Sequence, residues 1–369
     1  MGFDTKDVYA VILAGGSGTR FWPKSRHKKP KQLCKIGHEN ATMLETTLKR
    51  LDGFVPPERR LIVTHIDQVD ATRAIVGKLC PRVIPEPEAK NTAAAIAIAA
   101  LEIKRMSEGL VENPVMVSLH ADHVITKVHE FLSVTQAAIE VARQGFLTLL
   151  GITPKYAETG YGYIERGQEL KGAFSRTSYH VNSFREKPKV ELATEYVKSG
   201  KFYWNAGLFV WKIDTILGEL EQRQPSIIKT LAPLTCSSKK SYLDIPFELL
   251  AKAYRELPKI SIDHAVLELS HNVALVEADI GWQDVGSWDA LAQCFPTDEK
   301  GNLVFGDALL IDSHNTTVDT DGPFVATIGL KDTVVVYSNG AILVCPKDRT
   351  QDVKLIVDML KDRKRVELL

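Results

Sequence analysis

The sequence has few of the features that mark disulfide-bonded or zinc-binding proteins. Its 369 residues include only five cysteines, Cys34, Cys80, Cys236, Cys294 and Cys345, which are far apart and form no CxxC pair. An odd number of widely spaced cysteines predicts reduced thiols in a cytoplasmic protein. It argues against both a disulfide framework and a zinc framework.

The chain also lacks an excess of either charge and any long apolar run. Lys+Arg and Asp+Glu both total 46, which argues against a general nucleic-acid or membrane-surface binder. No apolar run approaches the ~20 residues that span a bilayer, and the N-terminal MGFDTKDVYA is too polar for a signal peptide. We therefore expect no nucleic-acid partner, no membrane association and a cytoplasmic location.

The first two-thirds of the chain alternates between two patterns. Short apolar runs rich in Val, Ile and Leu predict buried strands at 8–14, 59–65, 114–121 and 145–152. Helical patterns predict helices at 40–54, 67–79 and 91–106, the first with Asn40 as its N-cap. This alternation indicates an α/β fold with a largely parallel sheet and helices on both faces.

From about Cys294 the pattern changes. Short β-type runs divided by Gly, Asp and Asn turns fill 302–346, and an amphipathic helix is predicted at 348–364 with Asp348 as its cap. We expect two domains, a catalytic domain over 1–290 and a small β-domain with a terminal helix over 291–369.

A glycine turn follows the first predicted strand, within YAVILAGGSGTRFWPKSRHKKPKQL (9–33). Gly15, Gly16 and Gly18 allow close approach of the backbone to a phosphate. The turn lacks the GxxxxGK[ST] of a P-loop and the third glycine of a dinucleotide fingerprint. Six cations follow, Arg20, Lys24, Arg26, Lys28, Lys29 and Lys31, and two prolines predict that this stretch is extended. The pattern favours nucleotide-phosphate binding over the alternative, a solvated charged loop.

LAGGSGTRFWPKSRHKKPKQ resembles the signature of the sugar-nucleotide pyrophosphorylases, and its SRxxxPKQ ending is similar to that of the mannose-1-phosphate guanylyltransferases. Further segments agree with this family in order: EPEAKNTAAAIAIAA (86–100), HADHVI (120–125), GYGYI (160–164), FREKP (184–188), WNAGLFVW (204–211), ISIDHAVLE (260–268) and GWQDVGSW (281–288). The resemblance implies a nucleotidyltransferase fold, with a Rossmann-like, mixed and largely parallel sheet flanked by helices. It also implies a small, β-helix-like C-terminal domain with a closing helix. Longer family members carry an isomerase domain, and since the chain stops at Leu369 we expect that activity to be missing.

The resemblance implies a reaction between GTP and mannose 1-phosphate that gives GDP-mannose and pyrophosphate, with Mg²⁺ as cofactor. The attacking phosphate oxygen is already an anion near neutral pH, so catalysis requires positioning and charge neutralisation but no general base.

The resemblance also implies a role for each site residue. Arg20 and Lys31 would bind the triphosphate, and Lys187 the sugar phosphate. The other nucleotide contacts would be Leu13, Ala14, Gly15, Gly16, Gly18, Thr19, Asn91, Thr92 and Asp122. Asp122 and Asp284 would together hold Mg²⁺. Gly162, Glu186, Asn205 and Asp263 would complete the sugar pocket, with Tyr161, Tyr163, Trp204 and Trp282 as walls.

Several alternatives stay open. Asn91 and Thr92 already make sense as helix caps, and the family reading adds base or ribose contacts, with Glu88 as a candidate reader of the guanine edge. Lys28 and Lys29 are interpreted as solvated. Two alternative functions stay open. One is nucleotidyl transfer with another sugar 1-phosphate (such as glucose 1-phosphate) or another nucleotide. The other is that of a catalytically silent regulatory paralogue, although such a protein would have lost a site residue. His120 and Arg185 depart from the family pattern, and the chain could form a homodimer.

Overall fold

The computed structural model describes residues 4–16, 18–37, 40–236 and 241–369, which fall into two compact units. The first unit comprises the chain up to Gly15, Leu48–His120 and Lys127–Trp282. The second comprises Gly16–Thr47, Ala121–Thr126 and Gln283–Leu369. Each unit is described in turn below.

The strands are β1 Val8–Leu13, β2 Arg60–His65, β3 Arg82–Glu86, β4 Val115–His120, β5 Val124–Ile125, β6 Leu147–Ile152, β7 Tyr163–Glu169, β8 Ser178–Arg185, β9 Phe202–Lys212, β10 Val273–Ala278, β11 Trp282–Gln283, β12 Leu303–Phe305, β13 Ala308–Ile311, β14 Thr317–Thr320, β15 Val325–Ile328, β16 Thr333–Ser338 and β17 Ala341–Pro346. The α-helices are α1 Met43–Lys49, α2 Val69–Val76, α3 Thr92–Ser107, α4 Val128–Arg143, α5 Val190–Ser199, α6 Ile213–Arg223, α7 Pro225–Leu231, α8 Pro233–Cys236, α9 Phe247–Glu256, α10 Trp288–Ala292 and α11 Val353–Asp362.

The first unit is built on a nine-stranded sheet in the order β3-β2-β1-β4-β9-β6-β10-β8-β7. β1 pairs in parallel with both β2 and β4, while β8 and β9 run against their neighbours. All six residues of β1 are buried, because helices cover both faces of the sheet. α3 packs on β1 and β2, and α4 packs on β6, β9 and β10. The mixed α/β sheet flanked by helices is therefore confirmed.

The carboxyl ends of the parallel strands bring candidate residues to one edge of this sheet. β1 leads into Ala14 and Gly15, and β3 ends at Glu86 on the far side of β2. This edge is where ligands bind in open α/β sheets. The predicted strands at 8–14, 59–65, 114–121 and 145–152 correspond to β1, β2, β4 and β6.

The second unit contains the small β-structure predicted near the C-terminus. β12, β14 and β16 pair in parallel, β17 joins antiparallel, and β13 pairs in parallel with β15. Short parallel rungs joined by turns make a β-helix-like stack. Its core includes side chains of β12, β16 and α11 packed with Phe21, Trp22 and Trp288. The segment after the glycine turn is therefore part of this unit.

Three local predictions were wrong, and two of them concern helix caps. Asn40 does not cap α1, because Thr42 and Glu45 form a reciprocal capping box, in which the Thr42 amide donates to the Glu45 carboxylate at 2.8 Å and Thr42 Oγ1 accepts from the Glu45 amide at 3.2 Å. Asp348 caps no α-helix, because Lys347–Asp352 forms a 3₁₀ segment and α11 starts at Val353. The Lys347 amide donates to the carbonyl of Asp332 at 2.8 Å, which ties this segment to the strands.

The third concerns the cationic stretch after the glycine turn, which is not extended as predicted. It contains two 3₁₀ turns, Thr19–Phe21 and Lys31–Leu33, and the Lys24 amide donates to the carbonyl of Phe21 at 2.8 Å. Phe21 and Trp22 are buried in the core of the second unit, which folds this stretch into turns. Burial of large aromatic side chains outweighs the local preference set by the two prolines.

Cys34, Cys80, Cys294 and Cys345 are free thiols, as predicted, and the side chain of Cys236 lies outside the described part. Within the described ranges, no helix has the length and apolar character needed to cross a membrane. The division into domains at 290/291 stays a prediction.

Candidate active site

A buried lysine lies at the centre of the second unit's candidate site. Lys31 is only 3% exposed, and its ammonium donates to the backbone carbonyl of Asp284 at 2.9 Å. The same Nζ lies 3.2 Å from Oδ2 of Asp122. The structure thus brings Asp122 and Asp284 together around one cation, although they are far apart in the sequence. We call these three residues the Lys31 cluster.

Gly18 makes room for Lys31. A Cβ added at Gly18 would lie 2.4 Å from Cβ of Lys31 and 2.9 Å from its amide nitrogen. Gly18 also has φ of +59°, a left-handed conformation that side chains disfavour. This glycine is therefore required by the approach of the lysine as well as by the turn.

The backbone beside Asp284 is strained. Val285 has φ of +53° although it is β-branched and buried, and such a residue is a conformational outlier. The next glycine, Gly286, leaves space between two site residues: a Cβ there would lie 3.7 Å from Oδ2 of Asp284 and 4.0 Å from a terminal nitrogen of Arg20. Arg20 is exposed and on the same side of this turn as Asp284. Nε2 of His123 lies 3.6 Å from Oδ1 of Asp284.

The six cations after the glycine turn divide into three groups. Arg20 and Lys31 adjoin Asp284, whereas Lys28 and Lys29 are exposed, as their solvated interpretation predicts. Lys24 is buried in an ion pair with Asp319, and Arg26 donates to the carbonyl of Ser338 at 3.4 Å. Two of the six are thus committed to the C-terminal strands and are not presented to a ligand.

The other residues of the turn are placed around its backbone. Leu13 and Ala14 are buried, while Gly15 and Gly16 are exposed and Thr19 opens the first 3₁₀ turn. The Ala14 amide donates to the carbonyl of Val63 at 2.9 Å, which anchors the end of β1.

A second cluster of candidate residues forms in the first unit. Nδ2 of Asn205 donates to Oδ1 of Asp263 at 3.0 Å, and the Asn205 amide donates to the carbonyl of Gly162 at 2.8 Å. A Cβ at Gly162 would lie 2.5 Å from Oε2 of Glu186, so a side chain there would displace the Glu186 carboxylate from its position. Glu186 is ion-paired with Lys187 at 2.7 Å. These five residues, predicted from separate segments, form one group that we call the Lys187 cluster.

Carboxylates are crowded in the Lys187 cluster. Burial raises the pKa of Asp263 to about 6, and the negative charge of Glu186 adds to the shift. Lys187 itself has φ of +47°, a strained conformation for a residue with a Cβ. Its side chain is 63% exposed, so the ammonium is accessible to a ligand. Arg185 is exposed, as expected from strand alternation.

Aromatic side chains line the same unit. The ring of Tyr161 makes edge contacts with Trp204 and Trp282, at centroid distances of 5.3 and 5.1 Å. Tyr163 is buried and its hydroxyl donates to the carbonyl of Glu158 at 2.9 Å. Tyr163, Trp204 and Trp282 are all buried, and Tyr161 is the ring that links the two tryptophans.

The N-terminus of α3 is occupied by protein groups. Oδ1 of Asn91 accepts from the Thr92 amide at 2.8 Å, and Thr92 Oγ1 accepts from the Ile262 amide at 2.9 Å. The Ala93 amide donates to the carbonyl of Ile260 at 3.2 Å. Asn91 and Thr92 thus serve as caps that connect α3 to the segment before Asp263.

Sequence reasoning missed Glu86. This carboxylate is 7% exposed, and its Oε2 lies 3.8 Å from the position of a Cβ on Gly15, at the glycine turn. Burial raises the pKa of Glu86 to about 7, although Tyr254, whose hydroxyl donates to it at 3.4 Å, offsets part of the shift. Glu88, the candidate reader of the guanine edge, pairs with Lys90 at 3.4 Å and its side chain is 44% exposed. Burial distinguishes the two carboxylates, and no local pattern in the sequence indicates it.

Two family models match the chain. Residues 9–301 match the nucleotidyl transferase family, and residues 306–360 match the MannoseP isomerase/GMP-like beta-helix domain. The chain is therefore a nucleotidyltransferase.

Individual relatives identify the family more narrowly than the two family models do. The chain is 40% identical to mannose-1-phosphate guanylyltransferase 2 of Escherichia coli O157:H7, over 98% of this chain and 75% of the relative. It is 38% identical to the mannose-1-phosphate guanylyltransferase of Escherichia coli K12, over 96% of this chain and 73% of the relative. A crystal structure from Thermus thermophilus, named mannose-1-phosphate geranyltransferase, superposes with a TM-score of 0.85 at 33% identity and covers 96% of this chain and 99% of that one. The chain belongs to the mannose-1-phosphate guanylyltransferase family of nucleotidyltransferases.

Proposed function

We propose that the protein transfers GMP from GTP to mannose 1-phosphate, giving GDP-mannose and pyrophosphate. The observation that supports this most strongly is the Lys31 cluster, a buried ammonium that contacts the Asp122 carboxylate and the Asp284 backbone carbonyl. The chain that holds it is 40% identical to a mannose-1-phosphate guanylyltransferase. The sugar-phosphate oxygen forms a bond to the α-phosphorus while the bond to the β-phosphate oxygen breaks, and pyrophosphate leaves. Because the nucleophile is already ionised, the protein's residues act by position and charge.

Arg20 and Lys31 are proposed to bind the triphosphate and the departing pyrophosphate. Lys31 is held by the carbonyl of Asp284, so its charge needs no reorganisation when negative charge develops on the phosphates. Arg20 is exposed and can bring a planar pair of donors to phosphate oxygens. The turn from Leu13 to Thr19 would bind the rest of the nucleotide through its backbone, and Asn91 and Thr92 would support it.

The residues of the Lys31 cluster fit Mg²⁺. Asp122 and Asp284 offer hard, partly exposed carboxylate oxygens, the donors that Mg²⁺ prefers. When bound, Mg²⁺ would neutralise negative charge on the phosphates. The strained Val285 fixes the backbone that carries the Asp284 carboxylate.

The Lys187 cluster is proposed to bind mannose 1-phosphate. Lys187 would neutralise the phosphate, while Glu186 and Asn205 would hydrogen-bond sugar hydroxyls. Gly162 keeps the space into which the Glu186 carboxylate projects. Asp263 would hold Asn205 in orientation through their 3.0 Å hydrogen bond.

Glu86 is proposed to read guanine. Guanine presents two adjacent donors, N1–H and the 2-amino group, and an ionised carboxylate accepts from both. Glu86 is buried beside Gly15, at the end of the sheet where the nucleotide is expected. Adenine lacks this pair of donors, so with ATP the buried carboxylate would keep the Tyr254 hydroxyl as a donor but would not gain this pair of hydrogen bonds from the base.

The test is substrate choice measured by release of pyrophosphate. The protein would be incubated with Mg²⁺ and each of ATP, GTP, CTP, UTP and dTTP, with either mannose 1-phosphate or glucose 1-phosphate. We expect GTP with mannose 1-phosphate to give the highest kcat/KM, and excess chelator to stop turnover. Faster release with another nucleotide or with glucose 1-phosphate would contradict the proposal.

A further inference from the structure

A buried ion pair connects the phosphate-binding turn to the C-terminal strands. Nζ of Lys24 lies 2.5 and 2.7 Å from the two carboxylate oxygens of Asp319. Lys24 is 8% exposed and Asp319 is 1% exposed, so both charges are removed from water. Asp319 lies on β14, between β12 and β16 in the sheet of the second unit.

Lys24 is in the middle of the segment that carries the proposed triphosphate ligands. Arg20 precedes it by four residues and Lys31 follows it by seven. The hydroxyl of the next residue, Ser25, donates to the carbonyl of Gly18 at 2.7 Å, and Cys34 Sγ donates to the Lys24 carbonyl at 3.3 Å. Fixing Lys24 therefore fixes both ends of this turn.

Three further hydrogen bonds between the turn and C-terminal residues are longer, and each has a neutral carbonyl as its acceptor. The indole N–H of Trp22 donates to the carbonyl of Leu368 at 2.9 Å, and that of Trp288 donates to the carbonyl of Trp22 at 3.3 Å. Arg26 reaches the carbonyl of Ser338 at 3.4 Å. The Lys24–Asp319 pair differs in that two opposite charges meet through two short bonds.

Stability alone does not account for such a pair. Desolvation of both ions offsets most of their attraction, and two apolar side chains of similar volume are often as stable. Burial raises the pKa of Asp319 while the charge of Lys24 lowers it, which reflects these two opposing effects. What the ion pair adds over an apolar pair is a fixed direction and distance between the turn and β14.

We infer that Asp319 is a positioning residue that, through Lys24, holds the turn from Gly18 to Lys31 in the geometry required to bind the nucleotide triphosphate. This inference rests on the proposed function, because Arg20 and Lys31 are there assigned to GTP. It gives the C-terminal β-structure a role in nucleotide binding at a distance from any substrate atom.

The test uses the full-length chain with Asp319→Asn, Lys24→Met and the double variant. Each single change leaves one buried charge without its partner, so we expect a lower Tm and faster hydrogen exchange in peptides covering residues 18–33. The double variant leaves no unpaired charge, so we expect its Tm to recover toward the wild-type value. In all three, the KM for GTP should rise on the order of tenfold to a hundredfold, while the KM for mannose 1-phosphate changes less than about twofold.

Lys347→Met is the matched control. Lys347 is also buried in the second unit, and its ammonium donates to Oδ1 of Asn315 at 2.6 Å, a hydrogen bond that involves no residue of 18–33. This variant should lower Tm without accelerating exchange in residues 18–33 and without changing the KM for GTP.

The result that would overturn the inference is a double variant whose KM for GTP and whose exchange in residues 18–33 both return to wild type with its Tm. The pair would then only neutralise two buried charges. If both single variants fail to fold, the double variant decides the question by itself. A wild-type chain that releases no pyrophosphate from GTP and mannose 1-phosphate would instead contradict the proposed function, and the exchange measurement would still show whether the pair fixes the turn.

Discussion

The two lysines proposed to bind substrate phosphates have opposite surroundings. The side chain of Lys31 is 4% exposed and lies between Asp122 and Asp284, whereas that of Lys187 is 63% exposed and pairs with Glu186, its neighbour in the chain. In the Lys31 cluster the cation is part of the folded core of its unit. In the Lys187 cluster the cation is carried by a residue with a strained backbone, and the carboxylates of Glu186 and Asp263 lie close to each other. Loss of the first lysine should therefore affect folding and chemistry together, and loss of the second chiefly substrate binding.

The largest effect is expected for Asp284→Ala. Removal of this carboxylate should lower kcat on the order of a thousandfold, since a proposed metal ligand contributes several kcal/mol of charge stabilisation in the transition state. GTP binding, measured by calorimetry, should weaken far less than turnover. Asp279→Ala, in an exposed position of the same segment, is the control and should keep wild-type kinetics. Near-normal kcat in Asp284→Ala would remove Asp284 from the site.

Lys31→Met should lower both activity and stability. The substitution leaves the Asp284 carbonyl and the Asp122 carboxylate without their shared donor, so Tm should fall and kcat/KM for GTP should drop about a hundredfold or more. Lys28→Met, at an exposed position of the same segment, should change neither quantity. A Lys31→Met protein with wild-type Tm would show that the cluster is not part of the core.

Lys187→Ala should separate binding from folding. Because the ammonium is exposed, its ion pair with Glu186 contributes little stability, and alanine keeps the Cβ and hence the backbone strain. We expect the KM for mannose 1-phosphate to rise about ten- to a hundredfold with Tm nearly unchanged. Lys189→Ala, two residues further on and exposed, serves as the control. An unchanged KM would assign the sugar phosphate to another cation.

Glu86→Gln tests a carboxylate outside both clusters. Its amide would present a donor to guanine's donors, so the preference for GTP over ATP should fall about tenfold or more. Glu88→Gln, which changes the exposed partner of Lys90, should leave that preference intact. Equal effects of the two substitutions on nucleotide choice would contradict the role proposed for Glu86.

Asp263→Asn is expected to change turnover least. Unlike Lys31→Met, it is expected to raise the stability of the protein. Folding raises the pKa of Asp263 from its ordinary 3.8 to about 6, so the native protein holds this proton more tightly and loses stability as pH rises between those values. Asparagine cannot ionise, so it avoids this loss of stability. Its side-chain oxygen can still accept the hydrogen bond from Nδ2 of Asn205. Tm should therefore rise by about a few degrees at pH 8, and the gain should vanish below about pH 4. A gain that persists at low pH would show a different cause.

The sequence predicted the parts of the molecule that local patterns determine. The strand before Gly15, the helix after Asn91 and the order of the motifs identified the fold and brought Asp122 and Asp284 into one site. The members of the Lys187 cluster were also named from their motifs.

Partners distant in the chain were beyond sequence reasoning. The sequence assigned the triphosphate to Arg20 and Lys31, but nothing local shows that Lys24 pairs with Asp319 or that Arg26 donates to Ser338. The difference between Glu86 and Glu88 depends on burial, which follows from the packing of the whole unit. The strain at Val285 has no sequence signature, since a β-branched residue is among those least expected in that conformation.

The lysine packed against Gly18 constrains any attempt to engineer the nucleotide turn. A methyl group at this position would overlap Cβ and the amide nitrogen of Lys31, so the conflict is with the protein and arises before any nucleotide binds. A mutant library meant to change base preference should therefore leave codon 18 unmutated. At Gly16 an added Cβ meets no protein atom within 4 Å, so a substitution there would instead test the proposed approach of the nucleotide phosphate to the backbone.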